Sequence, residues 1–488
     1  MGQEMEEGLI ALEGQDTPTM KTRVWFESKK IWRIAFPSML FRVSGFGLYL
    51  VTQSFIGHIG EVPLVAYALV QTMIIRFVNG VLLGMASATE TLCGQSFGAK
   101  QYHMMGIYLQ RSWIVNFVTA TITVPALVFA TPIFRLLGEE EDIAIEIGTI
   151  SLWFIPFVYS LVFSMTIQMY LQAQLKNLVI GVLSTSAFVV HILLSWIFVS
   201  KLNWGLSGAM SALNISAWIP IFGGFVYIFG GWCPHTWKGF TKAAFTDLLP
   251  VVKISISSGA MLCLEVWYDA ILVLVAGYMQ NAEVSVSAFS ICLNINLWEF
   301  MVSLGFLGAA CVRVANELGR GNAEAAKFSI KVTLSTSVCI GVFVWTLCIA
   351  FGHEIGYAFS SNEEIAEYVS GLSVLLAFSM LLNSAETVLT GVAVGGGWQS
   401  VVAIVNLICY YVIGIPIGIL LCYVGHLQAK GLWIGMLSGV VMQVIALTYI
   451  TWRIDWNHEV NKASERLNQW LLKASEEPSE VNIDEVKW

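Results

Sequence analysis

Twelve apolar runs of about 20 residues or more divide this chain, near 33–57, 64–89, 113–137, 145–171, 179–200, 204–230, 250–279, 284–312, 328–351, 366–394, 399–423 and 429–452. A helix of that length crosses the ~30 Å hydrocarbon layer of a bilayer. Inside that layer only a helix or a closed barrel satisfies its own backbone hydrogen bonds. The fold class that follows is an all-α membrane protein with twelve transmembrane helices. Composition agrees, since 57% of the 488 residues are hydrophobic and 12% are charged, more apolar surface than a soluble core would hide. The acidic start, MGQEMEEGLIALEGQD, lacks the basic segment and short apolar run of a cleavable signal. The first membrane helix is therefore expected to act as the signal.

Nine cysteines fall mostly inside the apolar runs, with no CxxC pair. They read as small buried residues, not as a disulfide framework or a zinc site. The net charge of −8 comes largely from the tails and from runs such as Glu139 to Asp142. It reads as a solvated surface and gives no sign of a nucleic-acid partner.

An even number of helices puts both termini on one side. Twenty basic residues lie on that side, against Arg135, Lys201 and Lys430 on the other, with Arg42 and Arg76 inside helices. By the positive-inside rule both termini are cytosolic. The two halves also resemble each other at a shift of about 220 residues. SFIGHI around Gly57 matches LVAGYM around Gly277, Gly84 matches Gly305, QSFGAK from Gln95 matches NELGRG from Asn316, and GLSGAM from Gly205 matches GLWIGM from Gly431. A duplicated six-helix unit gives two lobes related by a pseudo-two-fold axis along the membrane normal. The expected division is a cytosolic tail over 1–32, an N-lobe over 33–235, a linker over 236–249, a C-lobe over 250–452 and a second tail over 453–488.

Polar residues inside such helices are costly and are functional candidates by default. Glu265 and Asp269 lie one turn apart in MLCLEVWYDAILVLVAGYM, on one helical face. The tenth run carries a second cluster, with Asn383, Glu386 and Thr390 at i, i+3 and i+7. In the first helix Arg42, Gly45, Tyr49 and Gln53 form a stripe, and in the second Thr72, Arg76 and Asn79. The shifted counterparts of the second stripe are Cys292, Asn296 and Glu299. Basic groups thus fall in the first half and acids in the second, and an ion pair between Arg76 and Glu299 across the lobes is one expectation. The alternative is that Arg76 snorkels to the interface and Glu299 bonds locally. Tyr49, Gln53, Asn79, Trp267, Tyr268, Asn296, Trp298 and Glu299 are the expected cavity residues. The aromatic ones are placed to stack on a planar or cationic solute. Lipid or interhelix packing is the competing role for each ring.

The stretches FIGHIG at 55–60, ETLCGQSFGAKQYHMMGIYLQRSW at 90–113, LQAQLKN at 171–177, MLCLEVWYDAILVLVAG at 261–277, LNINLWEF at 293–300, RVANELGRGN at 313–322 and GVAVGGGWQ at 391–399 closely resemble the plant branch of the multidrug and toxic compound extrusion family. The resemblance spans nearly the whole chain apart from the tails. It implies a two-lobed secondary antiporter that exports organic solutes from the cytosol in exchange for protons, driven by the gradient and using no cofactor. Glu265 stands where the family pattern has its seventh-helix glutamate, a site of cation coupling. Asn383 stands where some relatives have an aspartate, as in the flavonoid-transporter-like subgroup, and Glu386 stands where glutamine is common. Asp269 departs from the pattern. Glu265, Asp269, Glu386 and Asn383 are therefore the expected coupling positions, with Glu386 a candidate substitute for the missing tenth-helix acid.

The expected partners are a small organic solute, protons and the lipid bilayer, with the chain as a monomer. Organic cations, alkaloids and flavonoid-type metabolites all suit these residues, in either the vacuolar or the plasma membrane. A lipid or lipid-linked-sugar flippase is the main alternative. A membrane enzyme is disfavoured, because HExxH and CxxC motifs are absent and the seven histidines are scattered.

Overall fold

The computed structural model describes residues 19–246, 248–276, 282–352, 354, 357 and 363–465, with the side chains of 269, 270, 273, 274, 276, 282–287 and 290 outside that set. It contains twelve helices long and apolar enough to span a membrane, and no strand among the described residues. We number them α1 (Met20–Gly57), α2 (Glu61–Gly98), α3 (Tyr102–Val128), α4 (Glu141–Ala173), α5 (Leu178–Lys201) and α6 (Gly205–Trp232) in the first half. The second half has α7 (Leu249–Ala276), α8 (Ala282–Gly319), α9 (Ala323–Ala350), α10 (Glu363–Gly396), α11 (Gln399–Tyr423) and α12 (Gln428–Arg453). Several boundaries are written in local chemistry. Asn322 caps α9 by accepting from the Ala325 amide at 2.9 Å. After α10, Gly397 takes φ +84°, while its amide bonds to Val394 O and that of Trp398 to Ala393 O. This is the left-handed close that glycine permits, and it frees the chain to start α11 two residues later.

The helices gather into two six-helix lobes, each around its own apolar core. Tyr67, Phe134 and Phe154 centre the first, and Phe289, Leu372 and Trp433 the second. A third apolar cluster joins the lobes, where Ile31 and Ile34 of α1 meet Phe306, Ala310 and Val314 of α8.

The pseudo-two-fold is visible in the way glycines let the lobes touch. A side chain at Gly98 would overlap the carbonyl of Asn316, and one at Gly319 would overlap the carbonyl of Gln95. Each helix thus offers a glycine to the other's backbone, at matching places in the two repeats. Nearby, Thr91 Oγ1 donates to Val394 O at 2.8 Å, and Gln95 Nε2 to Gly395 O at 3.2 Å. Further along the same helices, Gly84 of α2 rests on Gly259 of α7, and Gly305 of α8 on Ala35 of α1. Small residues are what permit such backbone approach between membrane helices.

A buried ion cluster reinforces this contact. Arg313 of α8 donates from Nε to Glu27 Oε1 of α1 at 2.7 Å and from Nη2 to Glu27 Oε2 at 3.2 Å, and its Nη2 lies 2.7 Å from Glu317 Oε1. Arg313, Glu27 and Glu317 are all buried. The lobes are therefore closed together at the end that carries the beginning of α1 and the end of α8.

Candidate functional site between the lobes

Where the lobes part, they enclose a cavity of about 890 Å³, within the size range of small-molecule sites. The first-half wall comes mainly from α1, α2, α4, α5 and α6, and the second from α7, α8, α10, α11 and α12. Of the coupling positions expected from sequence, Glu265, Asn383 and Glu386 line it. The side chain of Asp269 lies outside the described residues.

Glu386 is the best-defined acid of this wall. The helical spacing brings Thr390 one turn on, and its hydroxyl donates to Glu386 Oε1 at 2.7 Å. Gln443 of α12 donates to the same oxygen at 3.1 Å and to Asn406 Oδ1 of α11 at 2.9 Å. Tyr410 OH in turn donates to Gln443 Oε1, and its ring stacks on Tyr268 at 4.6 Å. Glu386 is only 5% exposed. Its hydrogen-bond partners among the described residues are neutral. A carboxylate desolvated in this way without a cation is costly to leave charged.

Asn383 sits one turn from Glu386 and faces α8. Its Nδ2 donates to Asn296 Oδ1 at 3.1 Å and to Glu299 Oε2 at 3.2 Å, while Ser303 donates to Glu299 Oε1. Asn296, Glu299 and Asn383 are thus brought together as one polar seam. Glu299 itself lines a smaller adjoining cavity of about 310 Å³. No ion pair joins Arg76 to Glu299 among the described residues. Local hydrogen bonds stand in place of the expected cross-lobe pair, because Ser303 is one helical turn from Glu299 and Asn383 lies on the facing helix.

Tyr49, Gln53, Asn79, Tyr268, Asn296 and Trp298 line the main cavity. Tyr49 packs edge-on against Phe157, and Trp298 edge-on against Phe46. Trp267 does not line it. It is 52% exposed and stacks on Phe77 of α2, because neighbouring helical residues point about 100° apart and Tyr268 takes the inward position. Gln443, Asn406 and Tyr410 are site residues that spacing along the chain does not reveal. The one available signal is that Gln443 is a lone amide in the apolar run VVMQVIAL. Glu90, buried in α2 and accepting from Gln172 Nε2 at 2.6 Å, is likewise masked as an intramembrane acid by the polar company of ETLCGQSFGAK.

Comparison with known proteins agrees with this architecture. The MatE family profile matches twice, over residues 37–197 and 258–420, and the two matches begin with the same displacement that separates Gly98 from Gly319. The chain is 54% identical to Protein DETOXIFICATION 24 of Arabidopsis thaliana, covering 99% of this chain and 98% of the relative. It is 53% identical to Protein DETOXIFICATION 25 of the same plant, covering 96% of each. Among solved structures, the eukaryotic MATE transporter AtDTX14 superposes with a TM-score of 0.86 at 30% identity, over 91% of this chain and 99% of that one. The Vibrio cholerae MATE transporter VcmN, in its bent form, shares the fold at a TM-score of 0.74 and 18% identity, over 92% of this chain and 99% of that one. A duplicated six-helix unit, a cavity between the copies and relatives matched over their full length lead to one conclusion: this multi-pass membrane protein belongs to the MatE family of multidrug and toxic compound extrusion transporters.

Proposed function

We propose that the chain is a secondary antiporter that moves an organic solute out of the cytosol in exchange for protons, with Glu386 and Glu265 as the acids that exchange them. The observation that carries this reading is that a buried carboxyl held by neutral groups, Glu386, shares one inter-lobe cavity with Glu265. With the termini in the cytosol, as the basic residues indicate, the lobes are closed on the cytosolic side and the cavity belongs to the outward-facing state. Both the vacuolar lumen and the cell exterior are acidic relative to the cytosol, so one mechanism serves either membrane. Protonation from the acidic side removes the charge on the acids and weakens their hold on the hydrogen-bond donors of a bound solute. Deprotonation toward the cytosol restores the site. Coupling requires only that solute and proton favour different states of the two-lobed body. Asn383 does not titrate, and in this reading it positions the seam around Glu299.

The test is transport in proteoliposomes under an imposed pH gradient. Wild type is expected to move organic solutes only with the gradient. Glu386→Gln and Glu265→Gln are each expected to lower gradient-driven flux by about 5- to 150-fold, the range set by a coupling free energy of about 1–3 kcal/mol. Wild-type flux that ignores the gradient would exclude proton antiport.

A further inference from the structure

The first-half wall of the cavity holds a set of polar groups that no described residue satisfies. Arg42 Nε, Ser184 Oγ, Ser216 Oγ and Asn79 Oδ1 are each buried without a hydrogen-bond partner, and their residues, from α1, α5, α6 and α2, all line the cavity. Four helices therefore place unsatisfied groups around one space. Buried polar groups are paired in the great majority of cases, so four exceptions gathered on one cavity wall are where the polar groups of a bound solute would find partners. Among the described residues, the acid within electrostatic reach of Arg42 is Glu90. Its Oε1 accepts from Gln172, which also accepts from Ser38 and Gln168, and it forms no ion pair with Arg42 among the described residues. Glu90 balances charge behind the wall without occupying the guanidinium's donors.

We propose that this wall is a recognition site for an anionic group of the solute, a carboxylate, with Arg42 as its anchor and the hydroxyls of Ser184 and Ser216 as supporting donors. The inference rests on the cavity being the solute site of the antiporter proposed above. Three features decide for a carboxylate. A guanidinium presents parallel N–H donors that match the two oxygens of a planar carboxylate. Serine hydroxyls complete its remaining lone pairs. The opposite wall carries Glu265 and Glu386, which turn an anionic group away from the C-lobe and fix its direction in the cavity. The rings of Phe46, Phe157 and Trp298 in the same cavity offer faces for an aromatic body. The substrate class is thus an aromatic solute bearing a carboxylate, such as an acidic sugar conjugate, in preference to the matching neutral conjugate or a simple cation.

4-Methylumbelliferyl glucuronide and 4-methylumbelliferyl glucoside differ only by a carboxylate in place of a hydroxymethyl group, and both report by fluorescence. Equilibrium binding of each is measured on the purified full chain in detergent without a gradient, and transport of each in proteoliposomes with one. Wild type is expected to bind the glucuronide about tenfold or more tightly than the glucoside, as a charge-assisted contact implies. Arg42→Gln should remove that preference, with the glucuronide losing about tenfold more affinity than the glucoside, and Arg42→Lys should keep part of it. The double variant Arg42→Gln with Glu90→Gln separates recognition from charge balance. Continued loss of preference supports the site, whereas restored preference overturns it. Absence of any preference in wild type, failure of the glucuronide to bind, or a preference that survives Arg42→Gln each overturn it as well. If the preference depends on Arg42 in binding but neither solute moves with the gradient, the recognition site stands and the proton-antiport reading falls.

Discussion

Arg313→Met is expected to open the end of the molecule where the lobes now meet. In the closed state Arg313 lies buried between Glu27 of the other lobe and Glu317 of its own helix. Removing it leaves two buried carboxylates with only the longer contacts of Glu27 to Lys30 at 3.9 Å and of Glu317 to Arg320 at 3.4 Å, and deleting one partner of a buried pair costs up to about 3–5 kcal/mol. That cost applies only while the lobes are together, because separating them lets water reach both acids. At about 1.4 kcal/mol per tenfold, the balance between closed and open forms moves toward open by at most roughly two to four orders of magnitude, less whatever Lys30 and Arg320 still neutralise. The measurement is a spin-label distance between positions 100 and 324, which are exposed on opposite lobes at this end, with the exposed Cys339 replaced by Ala. The distance is expected to lengthen in Arg313→Met. The neutral triple variant Arg313→Met, Glu27→Gln, Glu317→Gln is expected to return to the short distance, since replacing a whole buried ion cluster by uncharged groups is often close to neutral. A wild-type distance in Arg313→Met would remove the cluster from any account of closure.

The second large effect is steric and independent of charge. Gly98→Val or Gly319→Val is expected to shift the balance away from closure, since the new side chain meets a backbone carbonyl of the opposing helix in each case. Flexible side chains give way to an added group, but a helix backbone does not. Overpacking of this kind costs about 1–3 kcal/mol or more, enough to shift a two-state equilibrium by about 5- to 150-fold. Because the contact is reciprocal, either substitution alone should suffice, and the double variant should add little in transport. The same spin-label pair checks the geometry, and flux under a pH gradient checks the consequence. Gly45, which has open space around its position, is the control: Gly45→Ala is expected to close normally.

These two predictions use residues that the chain itself discloses very unequally. Gln95, Gly98, Asn316 and Gly319 stand in the two repeat-matched stretches QSFGAK and NELGRG, so their equivalence is legible in the order of residues alone. That they press on one another is not, because a repeat specifies two similar units and says nothing of which surfaces they share. Glu27 and Arg313 are 286 positions apart and have no counterparts in the other repeat. On hydropathy, Glu27 belongs to a solvated tail. The helix in fact begins earlier and carries that acid against α8, where the charge of Arg313 makes its burial tolerable.

The polar seam is half legible for a similar reason. The spacing of Asn383, Glu386 and Thr390 places them on one face, and the structure has them there. Spacing along one helix cannot name the groups on the next, so Gln443, Asn406 and Tyr410 emerge only from packing. The Arg76–Glu299 pair is an inference from charge alone, and it loses to a serine one turn away and an amide on the neighbouring helix.

By itself the sequence determined the number of membrane helices, the duplication and the family, because each rests on hydrophobic length or on the order of motifs along the chain. The tertiary structure alone decided which end is closed, that Trp267 faces away from the cavity while Tyr268 faces its core, and that four unsatisfied polar groups meet on the first-lobe wall. The physical reason is that a membrane helix is apolar both toward lipid and toward its neighbours. Its outward face is therefore not marked in its composition, and only the packing of one helix on another assigns an inward direction to each side chain.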